Sequence, residues 1–485
     1  MAKRTAVIDI GSNSVRIVIY EKTSRYAFHL LREDKSKVRI GEGAYKQGGM
    51  LQEAAMQRAF ETIEEFVTIA KSYKVRKILC VATSALRDAP NRDVFIKRVS
   101  SRLSLNIKVI DGAQEAQLGG IAVANMLPPN NYVTIDIGGG STELASIQNG
   151  MIVEQLSLDL GTVRLKELFC DEGRFDDAVA YIKNAALAIP PSYLNRPIAG
   201  IGGTIRAVSM AYMRYIGYPI KVLHGFSYTT KAITLFSKKI YQRPPQELKL
   251  LGIKSERFDV IDAGTLIYTT LLEHLQAPEV TVSQVGVREG RFIQDLLRHQ
   301  RHMRFPTPIN PTMQSLIDRY IDDLEYVKNL KRTALELFDL LHEKLQLPVA
   351  YRELLGHAAT LSNIGVELNY YDFERHSFYL ILHSIYGMSH RETLLVATLV
   401  RYHTSKEPSE AFIQKYKTLL PKLKEIKGLI YLLALASSML KANPKTLPFE
   451  VTWTGTQLHL HSLAKNHLAI EKLKRLESPI KIIID

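Results

Sequence analysis

Three glycine-rich segments carry the residue types best suited to hold phosphate. They are Gly11-Ser12-Asn13-Ser14, Gly138-Gly139-Gly140-Ser141, and Ala199-Gly200-Ile201-Gly202-Gly203-Thr204. Glycine lets backbone N–H groups approach an anion with no Cβ in the way, and the hydroxyls of Ser12, Ser14 and Ser141 and the amide of Asn13 add donors. The third segment leads into a helical pattern from Ile205, and a helix N-terminus preceded by glycines is a ready anion site. Converging on one cleft, the three would hold a chain of phosphates, although each alone reads equally as a tight turn. No G-x-x-x-x-G-K-[ST] is present and no G-x-G-x-x-G opens a dinucleotide fold, so P-loop and Rossmann readings fall away.

Carboxylates stand beside these loops. An Asp next to a polyphosphate would be repelled unless a divalent cation intervened, which makes Asp9, Asp136 and Glu143 candidates to position Mg²⁺, directly or through water. Their alternative role is to cap backbone N–H groups in the turns. In Asp111-Gly112-Ala113-Gln114-Glu115-Ala116, Glu115 falls in the first turn of a helix that follows a strand, a junction that often faces a cleft. It is a candidate catalytic acid or base there, or else only a charge stabilising a helix N-terminus by about 0.3 to 1 kcal/mol. Arg87, in Thr83-Ser84-Ala85-Leu86-Arg87-Asp88, likewise ends a strand and is placed either to clamp a phosphate or to form a surface ion pair.

The elements that must position these groups follow from period and punctuation. Thr5 to Ile10 and Val15 to Tyr20 read as a hairpin around the first turn; Tyr132 to Ile137 and Thr142 to Ile147 read as a second hairpin around the second. Between them come a helix at Gln52 to Lys71, a strand at Arg76 to Thr83, a helix at Asn91 to Leu103, a strand at Ile107 to Ile110 and a helix at Ala113 to Ala124. This alternation predicts an α/β fold with a mixed sheet. Val7-Ile8-Asp9-Ile10-Gly11-Ser12-Asn13-Ser14 repeats as Thr134-Ile135-Asp136-Ile137-Gly138-Gly139-Gly140-Ser141, which indicates two halves of one ancestral unit facing one another. The division expected is residues 1–125 and 126–306 for these halves and 307–485 for a third domain. From about Pro306 strand patterns give way to long helical periods: Met313 to Leu345, Tyr351 to Leu361, Phe373 to Tyr386, Arg391 to Thr404, Glu410 to Leu423 and Gly428 to Lys441. A short β-like tail, Val451 to Leu460 and Ile480 to Ile484, follows.

The chain is 485 residues long with 46% hydrophobic and 23% charged residues, which excludes a disordered or low-complexity protein. Its net charge is +14, and about 11 of the excess positive charges lie in the first 310 residues. Cations around a cleft raise the local concentration of anionic ligands of any kind. Cys80 and Cys170 form neither a C-x-x-C pair nor a zinc pattern, consistent with a reducing cytoplasm. Asp9 breaks the N-terminal apolar run, so no signal peptide is expected, and Gly428 to Leu440 falls short of the roughly 20 residues of a membrane span. A soluble cytoplasmic protein without a membrane partner is expected.

The blocks AVIDIGSNSVRIVIY, ATSALRDAPN, DGAQEAQLGGIAV, IDIGGGSTEL, GIGGT and VGVREG, in this order, resemble the exopolyphosphatase and guanosine pentaphosphate phosphohydrolase family, Ppx/GppA. The resemblance spans nearly the whole chain. It implies the fold of the acetate and sugar kinase, heat-shock and actin superfamily, and Mg²⁺-dependent hydrolysis of a terminal phosphoanhydride. Carried over to this chain, Glu115 matches the catalytic glutamate, Asp136 and Glu143 the metal-holding acids, and Arg87 the phosphate-contacting arginine. Gly11 to Ser14, Gly138 to Ser141 and Gly202 to Thr204 match the phosphate-binding turns. Where the family commonly has two acids before the alanine, this chain has Gln114-Glu115, which leaves Glu115 as the base within that motif.

In the helical part, GHAATLSNIGVE, ERHSFYLI and LVRYH resemble an HD-type phosphohydrolase scaffold over roughly residues 313 to 440. Ser362-Asn363 stands where that pattern has its metal-binding His-Asp pair, so a degenerate, non-catalytic domain is expected, with His357, His376 and His403 in packing or hydrogen-bonding roles. Lys415, Lys417, Lys422, Lys424 and Lys427 read as a solvated helix face or as an extension of a polyphosphate track. The expected ligands are inorganic polyphosphate and guanosine pentaphosphate or tetraphosphate, with a homodimer plausible and no nucleic acid, since no reader motif is present. The other readings are a sensor that binds an alarmone or nucleotide without turnover, and an ATP-consuming kinase or chaperone of the same fold.

Overall fold

The computed structural model describes residues 3–44, 47–404, 407–442, 448–463 and 465–485. The chain forms two compact units, Met1–Pro311 and Thr312–Asp485. In the first, β1 (Lys3–Ile10), β2 (Val15–Lys22) and β3 (Phe28–Ser36) run as an antiparallel meander; α1 (Glu53–Ser72), β4 (Lys77–Ala82), α2 (Ser84–Asp88), α3 (Arg92–Leu103), β5 (Ile107–Val109) and α4 (Gly112–Met126) follow. The pattern then restarts with β6 (Val133–Ile137), β7 (Thr142–Gln148), β8 (Met151–Leu158), α5 (Thr162–Leu168), α6 (Phe175–Ala186), β9 (Ile198–Ile201) and α7 (Gly202–Tyr215). It ends with β10 (Ser227–Thr229), α8 (Thr230–Ser237), α9 (Pro245–Leu250), α10 (Ile261–His274), β11 (Glu279–Val282) and α11 (Val287–Leu296).

The two sheets share one plan. The first has the order β3-β2-β1-β4-β5, and the second reads β8-β7-β6-β9-β11 with β10 added at its edge. In each, an antiparallel hairpin is extended on its other side by parallel strands, so β1 and β6 are flanked on both edges. That position suits their apolar runs, and Ala6, Val7, Ile8, Ile10, Val133, Ile135 and Ile137 are all buried. This duplicated layout gives the two similar α/β halves that the repeated motif predicts. β3 and β8 were not anticipated, because Phe28–Ser36 and Met151–Leu158 are outer strands with mixed polar sequences and little alternation. Each half has its own apolar core, and the spacing of Ala55, Met56, Ala59, Phe60, Ile63, Phe66 and Val67 presents one face of α1 to the first.

Two helices tie the halves together. α4 lies on β7 and β8, while α11 packs on α4 and reaches β1. Small residues permit this packing: at the α4–α11 crossing a Cβ at Gly290 would fall 1.9 Å from the Leu118 carbonyl oxygen, and where α4 lies on β8 one at Gly120 would fall 2.9 Å from Ile152. The start of α4, and with it Glu115, is thereby held over the second sheet.

The second unit contains α12 (Pro311–Tyr320), α13 (Leu324–Leu345), α14 (Tyr351–Leu361), α15 (Phe373–Ser384), α16 (His390–Tyr402), α17 (Glu410–Tyr416) and α18 (Leu423–Met439). It closes with β12 (Phe449–Trp453), β13 (Gln457–Ser462), α19 (His467–Lys474) and β14 (Lys481–Ile484), whose strands form one sheet. The long period at Met313 to Leu345 is two helices, because the Asp323 side chain accepts the Tyr326 N–H at 2.8 Å and caps a new start. α18 is buried along most of its length and serves as the central core helix. No helix of the described residues is long and apolar enough to cross a membrane.

The histidines of this unit make local contacts. His403 is buried, its Nδ1 lies 2.7 Å from the Val400 carbonyl, and burial lowers its pKa. His357 lies 3.6 Å from Glu353 and is also lowered by burial. Ser362 donates to the Ala359 carbonyl at 3.1 Å, and Ser377 donates to the Ser362 carbonyl at 3.2 Å. In the lysine run, Lys424 donates to Gln346 at 2.7 Å, Lys427 pairs with Glu407 at 2.8 Å and Lys415 lies over the Tyr416 ring.

Candidate active site

The two duplicated turns are built alike. Gly11 N–H donates to the Ser14 carbonyl at 3.1 Å, and Gly138 N–H donates to the Ser141 carbonyl at 2.9 Å. Other chain segments take the turn carbonyls. Gly41 N–H binds the Ser12 carbonyl and Arg39 N–H the Asn13 carbonyl, both at 3.1 Å; the start of α5 binds the other turn through Thr162 N–H on Gly138 and Val163 N–H on Gly139, at 3.0 and 2.8 Å. The turns abut so closely that a Cβ at Gly139 would lie 2.8 Å from the Ser12 Cβ. Gly202 begins α7 with φ +84°, in the left-handed region glycine accepts, and a Cβ there would meet the Asp136 Oδ1 at 2.6 Å.

A cleft of about 950 Å³, its open mouth included, lies between the halves. Every predicted residue of the three turns lines it, as do Asp9, Glu115 and Asp136. Arg87 and Glu143 stand behind this lining and reach it through hydrogen bonds. Arg87 Nη1 donates to Glu115 Oε2 at 3.1 Å and Nη2 to Ser141 Oγ at 3.2 Å, joining the α4 start to the second turn. Glu143 is hydrogen-bonded to Ser141 of the lining and accepts from Ser157 Oγ behind it at 3.0 Å.

The helix start explains the Gln114-Glu115 pair. Asp111 caps α4 by accepting the Gln114 N–H at 2.7 Å, and the Gln114 side chain returns the contact to the Asp111 N–H at 3.4 Å. Gln114 is thus an exposed cap, while Glu115, 9% exposed, points inward. Burial and then the Glu143 charge push the Glu115 carboxyl well up, against the opposing pull of Arg87. Burial likewise raises Asp136 to about 6, with Asp9 adding to it, and Glu143 to about 7, with Asp136 adding to it. Burial raises Asp9 as well, and these four carboxyl groups at one cleft are a site arranged for a cation or a proton.

The other half of the floor is cationic, and most of this escaped the sequence reading. Arg16, Lys35, Arg206, Arg257 and Arg288 line the cleft. Arg16 lies opposite Asp9 across the β1–β2 hairpin, whereas Glu143 lies opposite Asp136 across β6–β7. Arg206 donates to the carbonyls of Ser283 and Val285 at 2.8 and 3.3 Å, and burial followed by repulsion from Arg288 lowers its pKa to about 10. Arg257 lies against Gly203, where a Cβ would meet its guanidinium at 2.2 Å. Arg288 sits in VGVREG at the start of α11, where Glu289 takes the third helical position and accepts the Gly286 N–H at 2.8 Å, as Gln114 accepts the Asp111 N–H at the start of α4. That shared helix start was the available signal. Glu289 is thus the counterpart of Gln114, and it is also engaged by Tyr20 Oη at 2.6 Å.

A metal suits the acidic half. Among the described residues no group of three or more His, Cys, Asp or Glu side chains forms a closed cage. Mg²⁺ needs none, since it keeps waters and substrate oxygens and takes one or two carboxylates from the protein. The Asp136 carboxylate lies against Gly202 and Gly286, a cradle in which a side chain at Gly202 would clash. Its partner Glu143 is a second hard oxygen donor.

The comparisons with known proteins agree with this geometry. The model of the Ppx/GppA phosphatase family matches residues 18–299, and that of Ppx/GppA phosphatase domain III matches residues 310–478. The chain is 27% identical over 413 residues to the guanosine-5'-triphosphate,3'-diphosphate pyrophosphatase of Photobacterium profundum, covering 82% of this chain and 79% of that one. It is 29% identical over 391 residues to the protein of that name from Aeromonas hydrophila, covering 78% of this chain and 75% of the relative. Among solved structures it resembles the Aquifex aeolicus Ppx/GppA family member, with 28% identity and TM-score 0.53 over 62% of this chain and 100% of that one. An exopolyphosphatase from Cytophaga hutchinsonii matches with 25% identity and TM-score 0.56 over 61% of this chain and 98% of that one. With its two halves and its helical unit all matched, the chain belongs to the Ppx/GppA phosphatase family.

Proposed function

We propose that the protein is a hydrolase that removes the terminal phosphoryl group from inorganic polyphosphate, guanosine pentaphosphate or both. The observation that carries this reading is the link Glu115–Arg87–Ser141, which sets a buried carboxylate beside a glycine-rich turn at the cleft floor. Phosphoryl transfer asks little covalent work of protein groups; it needs in-line water, neutralised oxygens and a stabilised leaving group. Glu115 orients the water and accepts its proton. Arg87 holds Glu115 in place and, with the donors of Gly138 to Ser141 and Gly11 to Ser14, receives the terminal phosphoryl oxygens. Arg16, Arg206 and Arg288 hold the phosphates beyond the scissile bond.

Asp136 and Glu143 are the residues that hold Mg²⁺, which when bound neutralises phosphoryl charge and relieves the like-charge push on Glu115. Asp9 lies among the charges of Arg288, Arg16 and Glu289, so cations of the chain itself stand beside it. The free, half- to fully buried Cys80 and Cys170 accord with a cytoplasmic setting. Release of inorganic phosphate from each substrate, with and without Mg²⁺, tests the reading; no release from either overturns it.

A sensor without turnover would not need Glu115 buried and tethered beside the phosphate turn. The same placement disfavours a kinase, which has to offer a second substrate, rather than water, as acceptor.

A further inference from the structure

Beside the catalytic floor, three cations stand at alternate sequence positions where β3 runs out: Lys35 near its end, Lys37 just beyond it, and Arg39, whose φ of +51° turns the chain. Each is matched by an acid from the other half of the unit, on the segment Glu256 to Asp259. Lys35 Nζ donates to Glu256 Oε1 at 3.1 Å, Lys37 Nζ lies 3.4 Å from Asp259 Oδ1 and donates to the Glu256 carbonyl at 2.7 Å, and Arg39 pairs with Asp259. The row has a direction. Lys35 lines the phosphate cleft, while Arg39 and Asp259 line a neighbouring cavity of about 700 Å³, and the two spaces share Ser12, Asn13 and Val260.

Resting on the phosphohydrolase reading, we propose that Lys35, Lys37 and Arg39 form the path of a long phosphate chain out of the cleft, and that Glu256 and Asp259 are built-in competitors for it. A polyanion threading past the turns exchanges carboxylate partners for phosphate oxygens one cation at a time, so the chain must outcompete both acids. Tripolyphosphate, held at the turns and at Arg16, Arg206 and Arg288, reaches no further than Lys35, the first of the row, and leaves Lys37, Arg39 and Asp259 untouched. The two acids therefore set chain-length preference at the level of binding and leave the chemical step alone.

The pairs also bridge the halves, so the alternative is a purely mechanical clasp, and the two roles differ in sign. Removing either side of a clasp loosens it equally; removing a competitor tightens substrate binding, whereas removing a path cation weakens it. The test measures KM and kcat for long-chain polyphosphate and for tripolyphosphate in the wild type, in a Glu256→Gln/Asp259→Asn double variant and in Lys37→Gln, with thermal unfolding of each. The expected result is a KM for long chains about three- to tenfold lower in the double variant and higher in Lys37→Gln, with clearly smaller shifts for tripolyphosphate in both. Shifts in the same direction for both variants, or equal shifts for both substrates, would overturn the proposal while leaving the hydrolase reading intact. Absence of phosphate release from wild-type protein on either substrate would instead refute that reading, and the proposal with it.

Discussion

Arg16 and Glu143 occupy the same position of a duplicated strand pair and carry opposite charges. Arg16 faces Asp9 across β1–β2, and Glu143 faces Asp136 across β6–β7, each just after a turn closed by the same backbone hydrogen bond. One ancestral hairpin has thus become two half-sites, one with a guanidinium and one with a carboxylate at the same position. The helix starts diverge too: Gln114 and Glu289 cap them alike, but the next residue is Glu115 beside the turn in α4 and Gly290 in α11.

The tether between Arg87 and Glu115 gives a graded prediction. Arg87→Lys keeps the charge but cannot span Glu115 and Ser141 at once, so kcat should fall while the fold persists. Arg87→Ala should also destabilise the protein, by about 1 to 3 kcal/mol, since it leaves a buried carboxylate without its donor. Steady-state kinetics and urea unfolding on the two variants separate these effects; equal kcat in wild type and Arg87→Lys would contradict the positioning role.

The raised carboxyl pKa values give a pH dependence with a definite sign. Asp136 and Glu143 ionise in the empty site only near about 6 and about 7, so Mg²⁺ binding, and turnover with it, should rise with pH across that range. Stability of the metal-free protein moves the other way. A folded-state pKa above the unfolded value favours the fold at acid pH, and this contribution is lost as pH climbs from about 4 toward those values. Thermal unfolding at pH 5 and pH 8, with EDTA or with Mg²⁺, should show a larger Mg²⁺ stabilisation at pH 8; an equal effect at both would exclude these acids as the metal site.

Glu143→Gln removes a charge that burial opposes. The metal-free variant should be at least as stable as the wild type at pH 8, yet lose most of its Mg²⁺-dependent activity. A variant that keeps both activity and Mg²⁺ response would place the metal elsewhere.

Gly202→Ala tests the third turn. At φ +84° the alanine is strained by about 1 to 3 kcal/mol, and its Cβ would intrude on the Asp136 carboxylate. Both a lowered Tm and a weakened Mg²⁺ response are expected. A loss of stability alone, with normal Mg²⁺ dependence, would show that Gly202 serves only the backbone.

The acidic half of the site and its three turns were legible because small residues and carboxylates at strand ends are rare combinations that name their own chemistry. Most of the cationic half was not. Arg16, Lys35, Arg206, Arg257 and Arg288 are scattered among 63 Lys and Arg residues, and only the folding of β2, β3, α7, the segment before α10 and α11 around one cleft distinguishes them from surface charge. Arg288 lay inside a motif already noted, yet its place becomes visible only once the start of α11 lines the cleft. Outer strands β3 and β8 were missed for a related reason: with one edge or face toward solvent, their residues need not alternate.

The most direct test of the central claim is phosphate release from long-chain polyphosphate and from guanosine pentaphosphate, measured side by side with Mg²⁺ on the wild type and on Glu115→Gln. Release from at least one substrate, reduced by about 10² to 10⁴ in kcat by the substitution while substrate binding is retained, is the predicted result. Near-normal turnover by Glu115→Gln would remove Glu115 from the mechanism and contradict the account.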